Sequence, residues 1–269
     1  MTHKIVLQAK LYLVPLIRLT IILTICLIAS HLEAGTIEIE WDAPLDGEVV
    51  GYKVYYGKSS GSYQWVKDVG ATTSTVLADL DDCTTYYWAV KAYNSEDEES
   101  EEFSNEVSGW ARPLIEIVDP SAGNQGEIVD VVIKGANYSE NPTIEIDNLG
   151  VSVLSTSQLD CHEIAVTIQI GPEDRGIQAA PIGSFDLTVV NQDMVYGTMP
   201  NGFTIMLNES RLDLDMSGRI DGMDLNRLAM LFGLHSGDLD FNPDCDFNGD
   251  GWIDGDDLSY LASNFGLNL

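Results

Sequence analysis

Asp213-Leu214-Asp215-Met216-Ser217-Gly218-Arg219-Ile220-Asp221-Gly222-Met223-Asp224 returns 33 residues later as Asp246-Phe247-Asn248-Gly249-Asp250-Gly251-Trp252-Ile253-Asp254-Gly255-Asp256-Asp257. Both blocks put oxygen-bearing side chains at positions 1, 3, 5, 9 and 12 and glycine at 6, the spacing that wraps a chain around a hard cation. Positions 1, 3 and 5 aim side-chain oxygens at one ion, position 7 offers a backbone carbonyl, position 9 acts through water, and the carboxylate at 12 closes the shell. The candidate ligands are therefore Asp213, Asp215, Ser217, Arg219 through its carbonyl, Asp221 and Asp224 in the first loop. In the second they are Asp246, Asn248, Asp250, Trp252 through its carbonyl, Asp254 and Asp257. Two Ca2+ ions are expected, because four clustered carboxylates per loop repel one another without a cation. A solvated, metal-free acidic tail is the other reading; the glycines and the following helices repeat in register, which argues against it.

Each loop runs into the same amphipathic pattern, Leu225, Leu228, Ala229 and Phe232 after the first and Leu258, Leu261, Ala262 and Phe265 after the second. That spacing predicts one apolar stripe per helix, and the two stripes are expected to face each other. Ile220 and Ile253, at position 8, are expected to point away from the ions. A unit of this size has a marginal core, so cation binding is expected to supply much of its folding free energy.

A duplicated calcium loop followed by a single helix, with Asp at position 12, resembles a type I dockerin, an EF-hand-type module, over residues 209–269. The resemblance implies a cohesin-like protein partner and attachment to an extracellular assembly, often one that degrades plant polysaccharide. In cellulosomal members positions 10 and 11 are small hydroxyl residues that read the cohesin. Here they are Gly222-Met223 and Gly255-Asp256, so the resemblance implies a partner class and not a particular cohesin.

Upstream, residues 36–112 alternate in short runs separated by turn residues, which predicts an antiparallel sandwich with strands near 36–41, 51–57, 63–69, 72–79, 86–94 and 103–109. Residues 52, 54 and 56 share one face, as do the even positions of 86–92. Trp41 on an early strand, Leu80 and Tyr86 resemble the fibronectin type III pattern, with Tyr86 as its tyrosine-corner residue; the first strand of that pattern has little chain to form it. The acidic run Glu96-Asp97-Glu98-Glu99-Ser100-Glu101-Glu102 reads as a solvated loop. Tyr55, Tyr63 and Trp65 are either a sugar-stacking platform or cross-strand packing.

Residues 113–206 read as a second sandwich. Pro113-x-Ile115-x-x-Val118-x-Pro120-Ser121-x-Gly123, Gly126, Gly135-Ala136-Asn137-Tyr138, Phe185 to Asn191 and Phe203-Thr204-Ile205 resemble an IPT/TIG immunoglobulin-like domain, a family whose members are mostly spacers. Its glycines and prolines are turn residues. Linkers are short, near 109–114 and 206–210, which restricts the angles between neighbouring modules.

Lys4, Lys10 and Arg18 precede or flank an apolar run from Leu19 to Ala29 that is too short to span a bilayer, and this reads as an export signal cleaved between Ala29 and Gly35. An uncleaved anchor is the other reading of the stretch, which Arg18 interrupts. Loss of residues 1–34 removes Lys4, Lys10, Arg18 and Glu33 from 13 bases and 43 acids, leaving 10 and 42, a net charge of about −32. Such a charge excludes nucleic acid and anionic membrane as partners. Cys83, Cys161 and Cys245 fall one to a module, so no disulfide framework is expected, and their spacing with His162 and His235 makes no zinc site. Cys161-His162 reads as a strand-edge coincidence. No nucleophile elbow, phosphate loop or Ser/His/Asp grouping occurs, and no module is large enough to form a cleft, so no enzyme is expected.

The sequence thus predicts a mainly β chain: an export signal (1–34), two immunoglobulin-like sandwiches in tandem (35–112 and 113–206) and a small all-α duplicated calcium loop-helix module (207–269). The expected function is a non-catalytic secreted or cell-surface adaptor that docks, with calcium, to a cohesin-like partner. The alternative is a polysaccharide- or surface-binding protein in which a sandwich binds and the calcium module is a cap.

Overall fold

The computed structural model describes residues 5–7, 35–44, 48–171 and 179–269. The expected export signal lies outside them, apart from the backbone of a short strand β1 (Ile5–Leu7) running parallel to β2 (Ile37–Trp41). By packing, the chain forms two units, residues 1–114 with 191–196 and residues 115–190 with 197–269.

The first unit adds strands β3 (Gly51–Gly57), β4 (Trp65–Gly70), β5 (Ser74–Leu77), β6 (Tyr86–Tyr93) and β7 (Val107–Gly109). They form two sheets, β1-β2-β5 and β4-β3-β6-β7. Period-two patterning dictates the register, since Tyr86, Trp88, Val90 and Ala92 turn inward from β6 and meet Tyr52 and Val54 from β3, with Ile37, Ile39 and Trp41 from β2. Each large side chain buried this fully contributes about 1.5–3 kcal/mol, so this cluster is the main favourable term for the sandwich. The corner is held by Tyr86, 3% exposed, whose Oη accepts the Asp81 backbone N–H at 3.1 Å.

In the second unit the strands are β8 (Leu114–Asp119), β9 (Ala122–Asn124), β10 (Ile128–Ala136), β11 (Thr143–Ile146), β12 (Val151–Asp160), β13 (Glu163–Ile170), β14 (Gly183–Val190) and β15 (Tyr196–Met206). Their sheets are β12-β13-β10-β8 and β11-β14-β15-β9. Strict alternation on β13 buries Ile164, Val166, Ile168 and Ile170 against Tyr138, Leu187, Val189 and Phe203 from the other elements. Asp160 pairs with Glu163, so Cys161 and His162 are the two-residue tip of the β12–β13 hairpin, not a strand edge.

The expectation of no disulfide is corrected, since Cys83 and Cys161 are both disulfide-bonded while Cys245 is a buried free thiol. One cysteine per module sets no bar to oxidation, and a disulfide fits an oxidising compartment. Bonded sulfur also removes Cys161 as a nucleophile.

Behind β15 the chain makes a 3-10 turn (Glu209–Leu212), helix α1 (Gly222–Leu231), a second 3-10 turn (Pro243–Cys245) and helix α2 (Gly255–Ser263). The segment is short-helical and loop-rich. Its core is Leu212, Leu214, Ile220, Leu228, Cys245, Phe247, Ile253 and Leu261. The expected apolar stripes do not survive whole. Only Leu228 and Leu261 are buried, while Leu225, Phe232, Leu258 and Phe265 are exposed. The loop isoleucines and the residues ahead of each loop supply most of the core, so a helix of nine or ten residues turns only one apolar side chain fully inward. Among the described residues no helix is long and apolar enough to cross a membrane.

Candidate metal centre

Both twelve-residue loops close through their end carboxylates. Asp213, 5% exposed, accepts the Ser217 and Gly218 N–H groups at 3.0 and 2.7 Å, and Asp246, fully buried, accepts those of Gly249 and Gly251 at 2.9 and 2.8 Å. Gly218 and Gly251 have φ of 80° and 90°, a conformation that a side chain resists, which is why the sixth position is glycine. The twelfth residues, Asp224 and Asp257, are fully buried. Asp224 accepts the N–H groups of Asp215 (3.1 Å) and Asp221 (2.8 Å), and Asp257 those of Phe247 (2.7 Å) and Asp254 (2.8 Å). Burial, and then the neighbouring Asp246 charge, push the Asp257 carboxyl up to about 6 against the pull of those N–H groups. Asp221 and Asp254 cap their helices by accepting from Met223 and Asp256 N–H, and each takes part in a capping box with the twelfth residue.

Not every expected ligand converges. Carboxylate oxygens of Asp213, Asp215 and Asp224 lie within 4.8 Å of one another. Ser217 Oγ donates to the Arg219 carbonyl at 3.1 Å, placing positions 5 and 7 side by side. In the second loop Asp250 accepts from Asn248 Nδ2 and Trp252 N–H, both at 2.9 Å. The Trp252 side chain stands edge-on to His235 with centroids 4.9 Å apart. The donors are carboxylates, one amide, one hydroxyl and carbonyls, all hard oxygens, and the pair of buried carboxylates at each loop's ends suits a divalent cation of the calcium class.

The loops are tied to each other by a reciprocal pattern that sequence inspection missed. Ile220 N–H donates to Leu267 O (3.0 Å) and Ile220 O accepts from Gly266 N–H (2.8 Å), while Ile253 N–H donates to Leu234 O (2.9 Å) and Ile253 O accepts from Gly233 N–H (2.7 Å). Leu269 N–H to Gly218 O (3.0 Å) and Ser236 N–H to Gly251 O (2.8 Å) repeat the relation. Every member of one set sits 33 residues from its counterpart, so each loop is strapped by the segment that follows the other repeat's helix. The Phe-Gly ending shared by both helices was the available signal. Arg227 donates to Leu214 O at 2.8 Å within the first repeat, while Arg211, 3.8 Å from Asp244, links the turn ahead of the first loop to the turn ahead of the second.

Removing residues 265–269 is expected to speed amide exchange at Ile220 by about tenfold or more and leave Ile253 unchanged, since only the first loop loses its strap. Equal speeding at both amides in an exchange measurement would show that the strap acts on the module as a whole.

On the first sandwich the acidic run is not merely solvated. Glu99 accepts from Tyr55 Oη (2.8 Å) and Lys53 Nζ (3.1 Å), and Asp97 accepts from Lys53 Nζ (3.0 Å), folding the run back over β3. Hydrogen bonds from Tyr55 and Lys53 hold the Glu99 carboxyl below its usual range although burial opposes them. Tyr63 donates to Glu106 at 2.7 Å and, with Tyr55, packs edge-on to Phe103. Trp65 stacks on Tyr56 at 5.5 Å and remains 42% exposed. All three surface aromatics thus take part in packing within the sandwich, Trp65 while remaining exposed.

Residues 27–109 match the family model of the fibronectin type III domain. Contactin-4 of Homo sapiens is 37% identical over 73 residues, which is 25% of this chain and 7% of that protein. The crystal structure of invasin, a bacterial integrin-binding protein, aligns over 66% of this chain and 37% of its own at 10% identity and a TM-score of 0.21. The chain therefore spans a small part of the curated relative it matches. With the two sheets, the Tyr86 corner and the family match in agreement, the first sandwich is a fibronectin type III domain.

Proposed function

We propose that the chain is a non-catalytic, secreted adaptor in which residues 207–269 are a type I dockerin-like module that binds two calcium ions and docks to a cohesin-like partner. Its second sandwich is of IPT/TIG type and carries the module. The reciprocal strapping of two loops across a 33-residue repeat is the observation that supports this most strongly. An acidic tail has no reason to build a near-symmetric pair of loops whose end carboxylates are buried.

The repeats agree in their core and differ on their outer faces. On α1 the exposed positions include Met223 (57%), Asn226 and Met230 (76%), whereas the equivalent positions of α2 are Asp256, Ser259 and Ser263. The α1 face is the docking face in this reading, since methionines adapt to an apolar partner surface. Met223→Asp with Met230→Asp is expected to weaken binding of a cohesin-like domain by the full chain tenfold or more, as measured in calcium by titration calorimetry. Binding that survives both the substitutions and a chelator would exclude calcium-dependent docking through α1. In the second reading the first sandwich binds a glycan or surface, which the exposed Trp65 on edge strand β4 supports. Retention on insoluble polysaccharide that Trp65→Ala abolishes would favour it.

A further inference from the structure

Position 4 of the two loops is occupied differently, by Met216 in the first and Gly249 in the second, although both residues have positive φ, 59° and 75°. Left-handed backbone alone therefore does not demand glycine here. Met216 is 71% exposed, but a Cβ on Gly249 would lie 2.7 Å from Ala179 O and 2.9 Å from Pro181 N. Glycine is needed in the second loop because the backbone of the second sandwich presses against it. Beside that contact, Ile182 N–H donates to Asn248 O at 2.9 Å.

Gln125 completes the joint. It is 1% exposed, and its side-chain amide donates to both Ala180 O (2.7 Å) and Phe247 O (2.9 Å), spanning sandwich and loop. Its own backbone is held by Met206 O, which accepts its N–H at 3.0 Å, and by Asn208 Nδ2, which donates to its carbonyl at 2.9 Å. Phe247, Asn248 and Gly249 are positions 2, 3 and 4 of the loop, immediately after the buried Asp246.

We infer that the second sandwich is a structural part of the second calcium site, with Gln125 as its positioning residue and residues 179–182 as its buttress. The inference rests on the calcium reading of the loops. Groups that hold a ligand-bearing loop in its closed shape raise its affinity for the ion. The coupling is reciprocal: filling the second loop tightens the sandwich contacts, and loosening those contacts weakens the site.

The full chain carrying Asp213→Ala isolates the second loop. In that background Gln125→Ala is expected to lower calcium affinity about tenfold by titration calorimetry, on the order of one buried hydrogen-bond set. Calcium is also expected to slow amide exchange at Ile182. Since Gln125→Ala leaves buried carbonyls without a donor and can unsettle the sandwich, Gly249→Ala probes the joint from the loop side. It should weaken the second site and abolish the Ile182 response, while Met216→Ala in the otherwise unsubstituted chain leaves the first site unchanged. Equal affinity with and without Gln125→Ala, and an Ile182 amide indifferent to calcium, would overturn the inference while the calcium reading stands. An unsubstituted chain that takes up no calcium would remove the reading and the inference together.

Discussion

On the proposed calcium reading, Asp213→Ala combined with Asp246→Ala is expected to abolish calcium uptake and unfold residues 207–269 at temperatures where the unsubstituted protein is intact. Each site, with calcium a hundredfold above its dissociation constant, stabilises the folded state by about 2.7 kcal/mol, so the pair is worth about 5 kcal/mol. A domain has only about 5–15 kcal/mol in total, and this segment buries a small core of eight residues. The substitutions also remove four acceptors of loop N–H groups, those of Ser217, Gly218, Gly249 and Gly251. Since Phe247 and Asn248 bond to the second sandwich, its melting is expected to fall as well, while the fibronectin type III domain is unaffected. Circular dichroism melts with calcium and with a chelator make the test. If the double variant still gains helix when calcium is added, the ligand assignment is wrong.

Trp88→Ala is expected to destabilise the first sandwich by about 3–5 kcal/mol. Trp88 is fully buried on β6, the strand hydrogen-bonded on both sides, so truncation leaves a cavity in the middle of the sheet that two flanking strands cannot close. Denaturant unfolding followed through a probe in the first unit reads the loss, and the calcium isotherm serves as control. A cost under 1 kcal/mol would mean that the sheet relaxes around the missing indole.

The elements most legible in the sequence were those governed by local periodicity. Alternation on 51–57 and 86–92 placed β3 and β6 and their inward faces, because in a strand every second side chain shares a face whatever lies beyond it. Tyr86 was identifiable as a corner residue from its distance to Leu80. The turn glycines were legible for a similar reason: the sixth position of a twelve-residue loop is fixed by spacing, and Gly218 and Gly251 take the positive φ expected there. Helical periodicity served less well. It marked α1 and α2 but overstated their buried faces, since burial depends on what stands opposite, and there Ile220, Ile253 and Phe247 had already filled the space.

From sequence alone come the strand pattern of the first sandwich, the paired acidic loops with isoleucine at position 8, and the strong negative charge. Tertiary structure alone decided the disulfide bonding of Cys83 and Cys161, the crossed straps at Ile220 and Ile253, the folding of Glu99 onto Tyr55, and the seat of the second loop against Gln125. Of these, the crossed straps join residues far apart in sequence through backbone carbonyls and N–H groups, which every residue type carries, and the others need particular side chains that only the fold brings together. Side-chain pattern therefore marks the straps only through the shared Phe-Gly endings, and the seat of the second loop only where a neighbouring backbone forbids a Cβ, as at Gly249.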